Sequence, residues 1–186
     1  MEERAEPVPG GLVGEADELV DVDAWVRRAP LRPGRLRQMA DPKLPLAGEC
    51  MCGGVRFEIS EPLLGALYCH CKRCQRRTGT GVSTTALAAA SSYRTVAGED
   101  LVRSWDPGNG GWIKAFCSTC GSQLFTNSPE NPELIAIRMG ALDEDPGIRP
   151  SAHQFVTYAA PWAPVPDDGL PRFPERITAG VSPPAS

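Results

Sequence analysis

The sequence predicts an all-β, mainly β fold clamped by metal and helped by a modest core, and three observations carry that prediction. The seven cysteines fall into three tight clusters, Cys50-x-Cys52, Cys69-x-Cys71-x-x-Cys74 and Cys117-x-x-Cys120. From Pro45 onward, short runs of β-branched and aromatic residues are divided by turn formers. The chain also holds 19 Gly and 19 Pro, a density that favours turns and short elements over long helices.

Along the chain, residues 1–44 are rich in Pro, Gly and charge, with Glu15, Asp17, Glu18, Asp21 and Asp23 followed by Arg27, Arg28, Arg32, Arg35 and Arg37. Such a composition buries too little apolar surface to hold a core, so a flexible extension is expected. One short amphipathic helix is predicted in it, because Leu19, Val22, Trp25 and Val26 share a helical face and Pro30 stops the run. Met39, just ahead of the first cysteine cluster, is a candidate natural start. The zinc domain is expected over residues 45–175. Its predicted strands are Val55 to Ile59, Leu64 to Tyr68, Tyr93 to Val96, Leu101 to Trp105, Ile113 to Phe116, Gln123 to Thr126 and Leu134 to Arg138. Asp106-Pro107-Gly108-Asn109-Gly110-Gly111 supplies the turn chemistry of a hairpin between Trp105 and Trp112. Residues 176–186 read as a disordered tail.

Composition narrows the function classes. No apolar run approaches the roughly 18 to 20 residues of a membrane span. A formal net charge of −4 argues against a nucleic-acid binder, which needs a net basic face. No secretory signal stands at the start, so a cytoplasmic protein with reduced thiols is expected. An odd number of cysteines cannot form a fully paired disulfide framework.

Thiols two or three residues apart converge on one metal ion more readily than they form a strain-free disulfide with each other. A CxC arm and a distant CxxC arm make a tetrahedral set, so Cys50, Cys52, Cys117 and Cys120 are assigned to a structural zinc. Gly53, Gly54 and Gly121 provide the permissive backbone that such turns need.

The remaining thiols, Cys69, Cys71 and Cys74, would hold a second zinc with an open fourth position, where chemistry can occur. Lys72, Arg73, Arg76 and Arg77 follow at once. They either balance the negative charge of the centre as a solvated face or hold the carboxylates of an anionic substrate. Two alternatives remain open at this point: His70 completing a closed Cys₃His site, and Cys71 with Cys74 acting as a redox CxxC pair. His153 reads as a hydrogen-bonded structural histidine in preference to a proton shuttle. Trp105, Trp112 and Trp162 read as core or edge packing. The Thr78-Gly79-Thr80-Gly81 loop lacks a phosphate-loop signature.

Three ordered motifs then make a specific resemblance. Ala47-Gly48-Glu49-Cys50-Met51-Cys52-Gly53-Gly54-Val55-Arg56-Phe57, Tyr68-Cys69-His70-Cys71-Lys72-Arg73-Cys74-Gln75-Arg76-Arg77-Thr78-Gly79 and Phe116-Cys117-Ser118-Thr119-Cys120-Gly121-Ser122-Gln123-Leu124-Phe125 resemble the glutathione-dependent formaldehyde-activating enzyme family. That family also includes centromere-protein-V-type domains. His153-Gln154-Phe155-Val156 with Ala160-Pro161-Trp162 is similar to the family's usual end, so the resemblance runs from Pro45 to Pro174. It implies an Mss4-like fold of small antiparallel sheets organised around zinc, two Zn²⁺ per chain, and the same four-plus-three division of the cysteines. It also implies a carbon-sulfur lyase activity, the reversible joining of glutathione and formaldehyde, with a small thiol and an aldehyde as substrates. Fold alone does not fix the reaction. A zinc-stabilised interaction module and a redox or zinc-handling protein are the alternatives.

Overall fold

Short runs, several with alternating burial, become strands in the computed structural model, which describes residues 42–108 and 111–177. In chain order the strands are β1 (Leu46–Glu49), β2 (Arg56–Ile59), β3 (Gly65–Cys69), β4 (Ser83–Ala89), β5 (Tyr93–Ala97), β6 (Val102–Trp105), β7 (Ile113–Cys117), β8 (Gln123–Ser128), β9 (Asn131–Arg138), β10 (His153–Gln154) and β11 (Arg172–Phe173). One α-helix, α1 (Lys72–Thr78), is found among the described residues. None there is long and apolar enough to cross a membrane. The fold is all-β, as predicted. The predicted helix over Leu19 to Val26 and the candidate start at Met39 lie outside the described residues. At the other end, Ile177 is buried and its N–H donates to the Gln154 side chain.

β1, β2 and β5 form a three-stranded antiparallel sheet, and the other strands form an eight-stranded sheet in the order β11-β10-β3-β4-β9-β8-β7-β6. β6 and β7 pair antiparallel with Trp105 opposite Lys114, the hairpin that the Asp106–Gly111 turn chemistry predicts. β10 runs parallel to both β3 and β11, which carries the C-terminal segment back beside Cys69.

Alternation along its strands gives the large sheet two unlike faces. Ala66, Ala86, Ala88, Ile135 and Ile137 on one face join Phe57 and Ile59 of the small sheet in a buried core with Leu46, Val55 and Leu124. Burying each larger aliphatic or aromatic side chain contributes about 1.5–3 kcal/mol. The opposite face carries a polar patch beside Leu67, which packs on Ala152, Phe173 and Ile177: Cys69 stands opposite Ser83, Thr85 opposite Arg138, Thr126 opposite Ala136 and Lys114 opposite Thr126. Trp105, on the edge strand β6, and Trp162 are exposed, so of the expected core or edge packing the core is excluded for these two. Trp162 lies against Gly81, where an added Cβ would come within 3.5 Å of the indole.

Candidate metal centres

The CxC and CxxC arms meet as the spacing predicts. Cys50, Cys52, Cys117 and Cys120 bring their sulfurs within 4.8 Å of one another, with Cys50 and Cys52 Sγ atoms 3.5 Å apart and Cys52 and Cys117 Sγ atoms 3.9 Å apart. Each arm turns on a glycine with positive φ, +69° at Gly53 and +74° at Gly121, a region that side chains with a Cβ rarely adopt. The Val55 N–H donates to Cys50 Sγ at 3.2 Å. Ser122 ties the arms together: its hydroxyl accepts from the Met51 N–H at 2.8 Å and lies 3.4 Å from Cys120 Sγ. That contact, first among several, draws the Cys120 thiol down to about 6. Ser122 escaped the sequence reading because its role depends on the two arms meeting.

Cys69, Cys71 and Cys74 form a second group, again with sulfurs within 4.8 Å. Cys69 ends β3, Cys71 is the N-cap of α1 and Cys74 lies in its first turn, donating its N–H to Cys71 Sγ at 3.3 Å. The helix stops at Gly79, whose left-handed backbone lets its N–H bond the Gln75 carbonyl. Three sulfurs this close cannot all ionise without a cation among them. Cys71 and Cys74 accordingly push the buried Cys69 thiol far up, while hydrogen bonds from Cys69 and Cys74 pull Cys71 down. His70 does not belong to this group. It turns away and is buried, with Nε2 2.9 Å from His153 Nδ1. His153 Nε2 lies 3.0 Å from Asp168 Oδ2, and Tyr68 stacks on the His153 ring.

The four basic residues of α1 divide. Lys72, Arg73 and Arg76 are exposed, and Lys72 donates to the Gln75 side chain. Arg77 turns inward and its Nη2 donates to the Ala115 and Phe125 carbonyls at 2.9 and 3.3 Å. Those carbonyls are available because the β7–β8 ladder slips register between Lys114 and Phe116. Two cations from the sheet join Arg77. Arg138, 8% exposed, donates through Nη1 to Ser83 Oγ and Thr85 Oγ1 at 2.5 and 2.6 Å. Lys114 Nζ donates to the Trp112 carbonyl.

All three cations feel Cys74. Burial lowers Arg77 to about 9 and Lys114 to about 8, repulsion from the neighbouring cations adds to this, and the Cys74 sulfur opposes it in both. Arg138 in turn favours the Cys74 thiolate. Sequence reading missed Lys114 and Arg138, because nothing local connects them to a cysteine cluster 40 or more residues away.

A cleft of ≈ 520 Å³ opens onto this face at Arg138, Ser83 and Thr78 and extends to Cys50. None of the sulfurs of Cys69, Cys71 and Cys74 lines it. It reaches their centre through Thr78, whose hydroxyl donates to the Cys74 carbonyl, and through Ser83, which faces Cys69 across β3 and β4.

Residues 45–158 match the family described as "Glutathione-dependent formaldehyde-activating enzyme", a span that holds both cysteine groups and both histidines. A Halomonas elongata protein bearing the name "Putative glutathione-dependent formaldehyde-activating enzyme" is 28% identical over 109 residues, which cover 54% of this chain and 67% of that protein. A Rhodobacter sphaeroides protein of known crystal structure aligns at 29% identity with a TM-score of 0.46, covering 54% of this chain and 90% of the other.

Proposed function

The chain belongs to the glutathione-dependent formaldehyde-activating enzyme family, and from that premise we propose that it is a zinc-dependent carbon-sulfur lyase of the cytoplasm. It joins a small glutathione-like thiol to formaldehyde or another small aldehyde. The carrying observation is the asymmetry between the two cysteine groups: four sulfurs close one cage, while three, Cys69, Cys71 and Cys74, stand beside the buried Arg138 and the half-buried Arg77 and Lys114.

The donor sets fit zinc. Four thiolates at about 2.3 Å around a tetrahedral ion lie about 3.8 Å apart, and the 3.5 and 3.9 Å separations among Cys50, Cys52 and Cys117 bracket that value. The three-sulfur group offers the same soft donors and needs a cation to relieve its crowding. Cys50, Cys52, Cys117 and Cys120 would hold the structural ion, and Cys69, Cys71 and Cys74 the reactive one. When bound there, zinc would supply Lewis acidity and keep a thiol ionised near neutral pH.

In the reaction the thiol sulfur bonds the aldehyde carbon, the carbon-oxygen π pair moves to oxygen, and the thiol proton ends on that oxygen as the hydroxyl of the adduct. The reverse reaction breaks the same carbon-sulfur bond. The chain's own residues supply the setting. Cys71 is fixed by the Cys74 N–H, Arg77 anchors α1 to β7 and β8, and Arg138 and Lys114 bring positive charge near Cys74, where it can stabilise a developing alkoxide.

The test is formation of the thiol adduct from formaldehyde and glutathione, followed by NMR with protein shown to carry two zinc ions, beside Cys71→Ser. Acceleration over the uncatalysed rate that is lost in the variant supports the reading. Equal rates with both proteins would sink it.

A further inference from the structure

The loop that carries Cys69, Cys71 and Cys74 is held from outside by the C-terminal segment. The Tyr68 N–H donates to the Ala152 carbonyl at 2.9 Å, the His70 N–H to the Gln154 carbonyl at 3.0 Å, and the Gln75 side chain to the Tyr158 carbonyl at 2.7 Å. Among these contacts the two buried imidazoles meet, and Asp168 holds the far side of His153. We propose that His153, oriented by Asp168, is a positioning residue for the three-sulfur centre: through His70 it keeps Cys69 and Cys71 aimed at one point and so governs how tightly that centre holds its metal. The inference rests on the reading of Cys69, Cys71 and Cys74 as a zinc site.

Three features carry it. The first is alternation. Cys69 closes β3, and Cys71 is extended, with φ −63° and ψ 149°. In extended backbone successive side chains point to opposite sides. His70 therefore points one way and the two flanking thiols the other, so fixing the ring fixes the direction of both sulfurs.

The second is that the ring has a single tie. His70 is 2% exposed, its Nδ1 has no partner, and the bond to His153 is the one hydrogen bond of its side chain among the described residues. The His70 main chain is bonded on both sides, its N–H to Gln154 and its carbonyl to Gln75, but neither bond sets the ring. Without His153 both ring nitrogens would be buried and unpaired, which drives the ring, and with it the flanking sulfurs, to shift.

The third is the carboxylate. His153 offers Nδ1 as an acceptor to His70 only while its one proton stays on Nε2, and Asp168 Oδ2, 3.0 Å away, holds it there. The stacked Tyr68 ring, with centroids 4.9 Å apart, keeps the imidazole in that plane. Among the described residues, no hydrogen bond joins residues 152–177 to Cys50, Cys52, Cys117 or Cys120. The device serves one centre and leaves the other alone.

That selectivity supplies the test, because the two centres of one chain act as each other's control. The full chain carrying two zinc ions would compete for metal with a chromophoric chelator, and the ion missing from Cys71→Ser identifies the three-sulfur step. His153→Phe should weaken that step about tenfold or more, the usual effect of losing an outer partner of a metal site, with the four-sulfur step unchanged. His153→Asn, whose side-chain oxygen replaces Nδ1 as acceptor, should restore most of the affinity. Asp168→Ala should weaken the same step alone, and it decides should His153→Phe fail to fold.

Equal losses at both centres, or a three-sulfur affinity unchanged in a folded variant, would overturn the proposal. So would a His153→Asn protein that loses as much as His153→Phe. Selective loss in a chain that forms no thiol adduct would defeat the lyase reading alone. Adduct formation by a chain whose His153→Phe variant keeps both affinities would defeat this inference alone.

Discussion

His70 Nε2 lies 2.9 Å from His153 Nδ1, both rings are buried, and the far nitrogen of His153 lies 3.0 Å from the Asp168 carboxylate. The carboxylate can only accept, which assigns a proton to His153 Nε2; with one proton on that ring, its Nδ1 accepts from His70 Nε2–H. The array joins the Cys69–Cys71 loop to the C-terminal segment. Burial and the neighbouring His153 both lower the His70 pKa, consistent with a neutral ring held in place.

His153→Phe keeps the stacking partner of Tyr68 but leaves the buried His70 N–H without an acceptor, which costs about 1–3 kcal/mol. Urea denaturation should show that loss. Asp168→Asn keeps an acceptor at a partly exposed position and should cost under about 1 kcal/mol. Equal losses in the two variants would contradict the directional array.

Cys50→Ser and Cys71→Ser should part company. Metal binding by a closed four-sulfur cage is coupled to folding, so Cys50→Ser should lose native circular dichroism together with zinc. Cys71→Ser should stay folded and lose one zinc of two. Equal unfolding of both would refute the division into structural and reactive centres.

Arg77 and Arg76 are neighbours in sequence with unlike environments. Arg77→Met strips the donor from the Ala115 and Phe125 carbonyls and should cost about 1–3 kcal/mol. Arg76→Met, on the exposed side of α1, should stay within about 0.5 kcal/mol. A Tm comparison reads both, and comparable losses would mean the inward anchor is unimportant.

Gly98 closes against the first cysteine arm. It has φ +68°, and a Cβ there would come within 2.0 Å of the Gly54 carbonyl oxygen, two residues beyond Cys52. That neighbour is backbone and cannot swing aside. Gly98→Ala should therefore destabilise by more than about 2 kcal/mol through strain and forced separation of β5 from the arm. A folded variant with an unchanged melting temperature would show that the arm can yield.

The cysteine centres were legible in the sequence because their spacing is local: two ligands per turn need only a CxC or CxxC and a glycine. Strands such as β2 and β9 were legible from their β-branched and aromatic residues. β4 was not, since Ser83-Thr84-Thr85-Ala86-Leu87-Ala88-Ala89 is dominated by Ala and other small residues, with Thr84 and Thr85 its only β-branched members. α1, at seven residues, is too short for a helical period to emerge. The cation cluster depends on register across β4, β9, β8 and β7, which no local pattern encodes. Arg138 looked like the end of an apolar run and Lys114 like the polar half of a strand alternation.

Lys114 yields the sharpest prediction, because it trades stability for charge. Burial, reinforced by Arg77, Arg138 and Arg73 and opposed by Cys74, lowers its pKa to about 8, from about 10.4 in an unfolded chain. Below pH 8 the lysine is protonated in both states and the folded chain bears the whole unfavourable interaction. Between pH 8 and about 10.4 the unfolded chain holds a proton that the folded one has released, so the penalty is relieved as pH rises. The full shift corresponds to about 3 kcal/mol, and screening at this partly solvated site reduces it to about 1 kcal/mol. Lys114→Met should therefore be more stable than the parent by about that amount at pH 7, with the advantage shrinking towards pH 10. Paired urea titrations at the two pH values measure it, with shared effects of thiol ionisation cancelling in the difference. An advantage that grows with pH would reverse the sign and remove the case for Lys114 as a cation held in an unfavourable place for function.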